Sequence, residues 1–127
     1  MAPAVEEWNH LRKNVATLGK AGVKIVMGTD VGGNTGGALL GWTEHIELEN
    51  MVVAGMTPLS AISAGTKGSA DALRLEPLGT IARGKRADFI VLDANPLENI
   101  ANTKKIAKIY QRGQEVDRAA MRATWQK

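Results

Sequence analysis

Five residues, Val23-Lys24-Ile25-Val26-Met27, constrain this chain most: short, β-branched and nearly all apolar, they run straight into Gly28-Thr29-Asp30. Such a run fits a strand covered on both faces, as in a parallel sheet packed between helices. It is entered from an amphipathic segment in which Trp8, Leu11, Val15 and Leu18 recur at helical spacing and form one stripe. Pro3 suits a first turn, Glu6 and Glu7 suit the positive end, and Gly22 suits the stop. A helix of about 15 to 19 residues is expected there. Beyond the strand the chain enters a glycine-dense loop holding Gly32, Gly33, Gly36, Gly37 and Gly41. Loops of that length and composition more often carry function than merely connect.

A second helix is expected to start near Thr43 and stop at Gly55, with Glu44, Glu47 and Glu49 towards its positive end. Thr57-Pro58 reads as an N-cap followed by proline at the first helical position, opening a short helix that ends at Gly65. Thr66 then caps another short helix through Leu73. From Pro77 the period changes. Gly79-Thr80-Ile81 leads through a tight Arg83-Gly84-Lys85 turn into Ala87–Asp93, and Pro96 ends that run. Ile106–Tyr110 is a further strand, Gly113 a turn before Glu115-Val116, and Asp117–Trp125 a weak helix. The chain thus divides into a helix–strand–helix part, residues 1–75, and a part of short strands with a terminal helix, residues 76–127. The fold class expected is α/β.

At 127 residues, 44% hydrophobic and 23% charged, the composition is that of a globular domain. Net charge is +3, and the nearest approach to a basic cluster, Arg83, Lys85 and Arg86, is followed by Asp88. Nucleic-acid binding, which needs a concentrated basic face, is not expected. The absence of cysteine excludes disulfides and thiolate metal sites. No apolar run approaches the roughly 18 residues of a membrane span, and no secretory pattern opens the chain, so a cytoplasmic protein is expected.

Asp30 is the sharpest chemical candidate. It stands at the carboxyl end of the expected strand, where α/β folds gather catalytic and ligand-binding groups. A carboxylate there can take a proton from an attacking water and return it to a leaving group, or ligate a metal as a hard oxygen donor. Asp is also common at turns and caps, and on local grounds the two readings are evenly matched. The glycine loop lacks a Gly-Lys-Ser/Thr ending and is not a nucleotide cradle. A loop bordering a substrate pocket fits it better. His45 and Glu49, four residues apart, share a helical face and that spacing can hold a metal, but an isolated histidine–glutamate pair is more often structural. His10, between Trp8 and Leu11, reads as structural too. There is no Gly-x-Ser-x-Gly elbow and no cysteine nucleophile to support a covalent acyl-enzyme.

Three blocks together resemble the end of an amidohydrolase-superfamily enzyme, nearest its imidazolonepropionase and prolidase-like branch. They are Gly22 through Asp30; His45-Ile-Glu-Leu-Glu continuing into Ala54-Gly-Met-Thr-Pro-Leu-Ser-Ala-Ile62 and Ala64-Gly-Thr66; and Leu78 through Asp93 with Asn95-Pro-Leu97. The likeness covers roughly residues 5 to 117. It implies a distorted (β/α)8 barrel with a small β-sandwich. Residues 23–28 would be the eighth barrel strand, making the first part the last β/α unit of the barrel. Residues from about 78 to 116 would supply carboxy-terminal strands of the sandwich. Asp30 would be the carboxylate after strand eight, binding a zinc or another divalent metal and serving as base and then acid in hydrolysis of a small-molecule amide.

The departure is as informative. The superfamily pattern needs a His-x-His after the first strand, often a bridging lysine or glutamate after the fourth, and histidines after the fifth and sixth. None of those segments is in this sequence. The chain by itself is therefore expected to bind no metal and to be inactive, an incomplete piece of a metal-dependent hydrolase. The rival expectation is a non-catalytic split subunit or interaction module, an oligomer or a chain docking through its exposed strand on a complementing partner. Ligand binding by the glycine loop without chemistry is a third.

Overall fold

The computed structural model describes residues 2–31 and 39–125. Helix α1 spans Ala2–Lys20, at the upper end of the expected length, and α2 spans Thr43–Val53. The two are tied where α2 ends: the Arg12 guanidinium donates to the Val53 carbonyl at 2.8 and 3.2 Å, a cation meeting carbonyls left open at a helix C-terminus. Helix α3, Pro58–Ser63, opens as the sequence suggests, with the Thr57 hydroxyl accepting from the Ser60 N–H at 3.1 Å and proline in the first turn.

Beyond α3 the chain departs from expectation. Gly65 does not stop the helix and Thr66 does not cap a new one. The chain passes through a π-helical turn, Ala64–Gly68, directly into α4, Ser69–Ala72. The Thr66 hydroxyl donates back to the Ile62 carbonyl at 2.7 Å, as it does within a continuing helix.

The expected parallel strand also differs. Residues 23–31 carry no regular structure, because a strand exists only through a ladder and no neighbour lies beside it among the described residues. Its backbone ties are Val23 N–H to the Leu18 carbonyl at 3.0 Å and Met27 N–H to the Ala64 carbonyl at 3.3 Å. Burial alternates rather than covering both faces. Ile25, Met27 and Thr29 are half-buried, while Val26, Gly28 and Asp30 are exposed. The inward side chains Ile25 and Met27 join Leu48, Val52 and Met56 around a core of Met51, Ala61 and Ala64. The core is small-residue packing, so helices approach closely and lose little side-chain freedom.

The second part is a three-stranded antiparallel sheet: β1, Phe89–Leu92; β2, Ile106–Gln111; β3, Gln114–Glu115. The run expected over Ala87–Asp93 is trimmed to its centre, and Gly79-Thr80-Ile81 leads in without pairing. Phe89 stands opposite Tyr110, and their rings stack with centroids 4.6 Å apart. A turn with positive φ at Arg112 and Gly113 joins β2 to β3, the backbone twist that suits a two-residue hairpin. A 3₁₀ turn at Ile100–Lys104, capped by the Asn99 side chain, lies between β1 and β2, and α5, Arg118–Trp125, comes last. Among the described residues no helix is long and apolar enough to cross a membrane.

Candidate functional site

Asp30 follows the 23–28 segment with φ at +50°, in the left-handed region. Asp tolerates that region better than most residues, yet the conformation still costs energy, and such costs persist where the surroundings impose them. The carboxylate is exposed, and among the described residues it makes no hydrogen bond or ion pair. The local turn is tied off instead by Thr29, whose hydroxyl accepts from the Val31 N–H at 3.4 Å. Among the described residues Asp30 caps nothing. It is a presented oxygen donor on the solvent-facing side of the segment, opposite the side that packs on the helices. The loop glycines Gly32, Gly33, Gly36 and Gly37 lie outside the described residues.

His45 is placed elsewhere. Its Nδ1 lies 3.0 Å from the Thr103 hydroxyl, and that hydroxyl spends its one hydrogen on the Ile100 carbonyl at 2.9 Å. Thr103 must therefore accept from the ring, which fixes the hydrogen on Nδ1. Burial, then the nearby Lys104 ammonium, holds the His45 pKa below its ordinary value, against the pull of Glu44 and Glu49. Glu49 faces Lys104, with its Oε1 2.7 Å from the ammonium nitrogen, and the same ammonium sits 4.9 Å over the Trp42 ring. Trp42, His45 and Glu49 thus line one face of α2 and clamp the 3₁₀ turn. The His45/Glu49 pair is a structural fastening, as its isolation in the sequence suggests. His10 is exposed on α1. The sequence did not single out Thr103 or Lys104, since nothing near Asn102-Thr103-Lys104 hints at a partner 58 residues away.

A cleft of about 1220 Å³ lies between the two parts, walled by Met27, Ile62, Leu73, Ile81, Phe89 and Tyr110 among others. Its wall is mostly apolar and does not include Asp30. It is a gap between packing surfaces more than a reaction chamber.

One comparison decides the lineage: the model of the amidohydrolase family matches residues 6–116. The chain belongs to the amidohydrolase family. Comparison with curated proteins gives no match. Among solved structures, phenylurea hydrolase B is similar at 34% identity with a TM-score of 0.75, over 84% of this chain and 27% of that one. Molinate hydrolase is similar at 34% identity and a TM-score of 0.72, over 82% of this chain and 26% of the other. A Xaa-Pro dipeptidase with methionine bound in its active site is 32% identical, with a TM-score of 0.71, over 83% and 25%. The chain thus spans about a quarter of the length of these amidohydrolase-family structures.

Members of the amidohydrolase family generally bind divalent metals. Among the described residues, no three His, Asp or Glu side chains gather where they could hold one. A catalytic zinc takes three protein ligands and a water, so the described residues by themselves do not fit one.

Proposed function

We propose that this chain is part of a hydrolase of carbon–nitrogen bonds in small amides, cyclic amides or dipeptides, and that Asp30 is its proton-transfer carboxylate. The observation that carries this reading is the presentation of Asp30: left-handed, exposed and, among the described residues, uncommitted at the end of the 23–28 segment. A carboxylate so placed can accept the proton of an attacking water and hand it to the departing nitrogen, which cannot leave as an anion. The similar structures support the reaction class, being hydrolases of a phenylurea, of molinate and of Xaa-Pro dipeptides. In this reading residues 23–28 are the eighth strand of a (β/α)8 barrel, residues 1–75 its last unit, and residues 76–127 strands of an accompanying β-sandwich. Zinc or another divalent ion, and the histidines to hold it, belong with polypeptide beyond this sequence.

The test has two arms. The purified 127-residue chain, given zinc or manganese and offered dipeptides, lactams or phenylureas, is expected to turn nothing over. Robust turnover lost in Asp30→Asn would overturn the incompleteness while keeping the role of Asp30. Supplying a polypeptide with the histidine-bearing segments is expected to restore metal uptake and turnover, and Asp30→Asn must then abolish turnover. A completed protein whose turnover is untouched by Asp30→Asn ends the proposal.

A second reading has its own support. Val23 and Val26 are 50% and 44% exposed on the outward side of the 23–28 segment. An uncovered strand-like edge of that kind favours docking on a partner chain, and a purely structural subunit needs nothing more.

A further inference from the structure

The five-residue π-turn at Ala64–Gly68 is not required by any hydrophobic pattern, and π-turns persist inside helices where their surroundings use them. Here the user is the 23–28 segment. The Ala64 carbonyl receives three donors: the Ser69 N–H across the π-turn, the Ser69 hydroxyl at 2.7 Å and the Met27 N–H at 3.3 Å. The two glycines of the turn stand where the segment passes. A Cβ on Gly65 would lie 3.2 Å from Met27 Sδ, and one on Gly68 would lie 3.1 Å from the Ser63 carbonyl and 3.6 Å from the Ile25 carbonyl. A side chain at Gly65 would crowd the tip of Met27, whereas one at Gly68 would only touch the segment and would instead force the turn's own Ser63 carbonyl, next to Ala64, to shift. Met27 N–H is the one backbone hydrogen bond from this segment to the helices after α2 among the described residues, and Asp30 lies three residues on.

We propose that the Ala64–Gly68 π-turn is a positioning element for Asp30, with Gly65 setting the depth of the 23–28 segment, Gly68 letting the turn close beneath the Ser63 carbonyl, and the Ala64 carbonyl setting the segment's register. The functional meaning rests on the role proposed for Asp30, but the geometry is testable without turnover. A carbonyl oxygen has two lone pairs, so three donors over-commit it, and the Met27 contact, at 3.3 Å against 2.7 Å for the Ser69 hydroxyl, yields to that hydroxyl. Removing the Ser69 hydroxyl frees a lone pair for Met27. A local fastening therefore responds to Ser69→Ala in the opposite sense from overall stability.

The experiment is amide hydrogen exchange with carboxyl-carbon NMR on the 127-residue chain, comparing Gly68→Ala, Ser69→Ala and a control, Gly84→Ala, whose turn faces open space. Gly68→Ala is expected to speed exchange at Met27 by about tenfold beyond the change in globally exchanging amides, one hydrogen bond's worth, and to move the Asp30 carboxyl resonance. Ser69→Ala is expected to slow exchange at Met27 while the globally exchanging amides speed up. Gly84→Ala should do neither. If Met27 follows the global amides in all three, or the Asp30 resonance stays fixed in Gly68→Ala, the proposal is overturned. Should Gly68→Ala fail to fold, Ser69→Ala decides: unchanged or faster exchange at Met27 refutes it. Neither outcome touches the turnover test of Asp30→Asn.

Discussion

Gly79 sits at φ +83°, and a Cβ there would come within 2.8 Å of both Lys67 Cα and Ala70 Cβ and 2.9 Å of the Thr66 carbonyl. Backbone strain and overpacking each cost about 1–3 kcal/mol, so Gly79→Ala should lose roughly 3 kcal/mol or more in chemical denaturation. Gly84 has the same φ with nothing within 4 Å, and Gly84→Ala should lose only about 1–2 kcal/mol. Equal losses would mean that conformation alone, not the seating of the Leu78–Thr80 segment on the π-turn, explains Gly79. His45 acts on stability through charge. Burial and Lys104 depress its pKa below 6.5, so the folded chain prefers the neutral ring. Its contribution is complete above 6.5 and is lost as pH falls through that value towards the lower folded-state pKa, then levels off. The depressed carboxylates Asp71, Asp88 and Glu115 act in a more acidic window. Urea midpoints should therefore drop between pH 7.5 and 5.5 in the parent chain and stay level in His45→Gln; a parallel drop in both would refute this account.

At the scale of elements, a side chain just outside the ladder ties one end of the sheet to the other. Asp88, just before β1, accepts from the Arg112 N–H at 2.7 Å in the β2–β3 turn and also pairs with the Arg86 guanidinium. The backbone donor, then the guanidinium, holds its pKa below the usual carboxylate value. Asp88→Ala should lower the urea midpoint and speed amide exchange at Arg112, while Asp88→Asn, keeping an acceptor, should lose less. If the two variants match, the Arg112 contact is immaterial. The elements also mark what the sequence could and could not disclose. The spacing of Trp8, Leu11, Val15 and Leu18 announced α1, since periodicity is local. The same stripe could not reveal that Trp8 and Leu11 remain 40% and 52% exposed, because covering them depends on chain beyond the helix. Asp30 stood out as a candidate from its place after an apolar run, whereas the His45–Thr103 fastening joins residues 58 apart and left no local trace. Gly65 and Thr66 look like a helix stop and a new cap. Only the passing 23–28 segment, distant in sequence, explains why the helix widens there and continues.

At the scale of the molecule, much apolar surface lies uncovered among the described residues. Ile81 is 84% exposed and Leu73 69%, both on the wall of the cleft that separates the two parts, and no fully buried large side chain lies among the described residues. Monomers seldom leave such surface contiguous, and where they do it marks a binding face or an aggregation hazard. The chain spans about a quarter of the length of the similar solved structures, and the function proposed here expects polypeptide of the same fold to cover that wall. The chain alone should then run above its 13.5 kDa mass in size-exclusion chromatography with light scattering and should brighten a hydrophobic dye. Ile81→Lys with Leu73→Lys should shift it towards monomer and dim the dye. These positions face the cleft and not the Asp30 side of the 23–28 segment, so the pair separates docking from chemistry. A parent chain that is a clean, dye-silent monomer would mean that the wall closes on itself in solution, and the need for a completing partner would vanish with it.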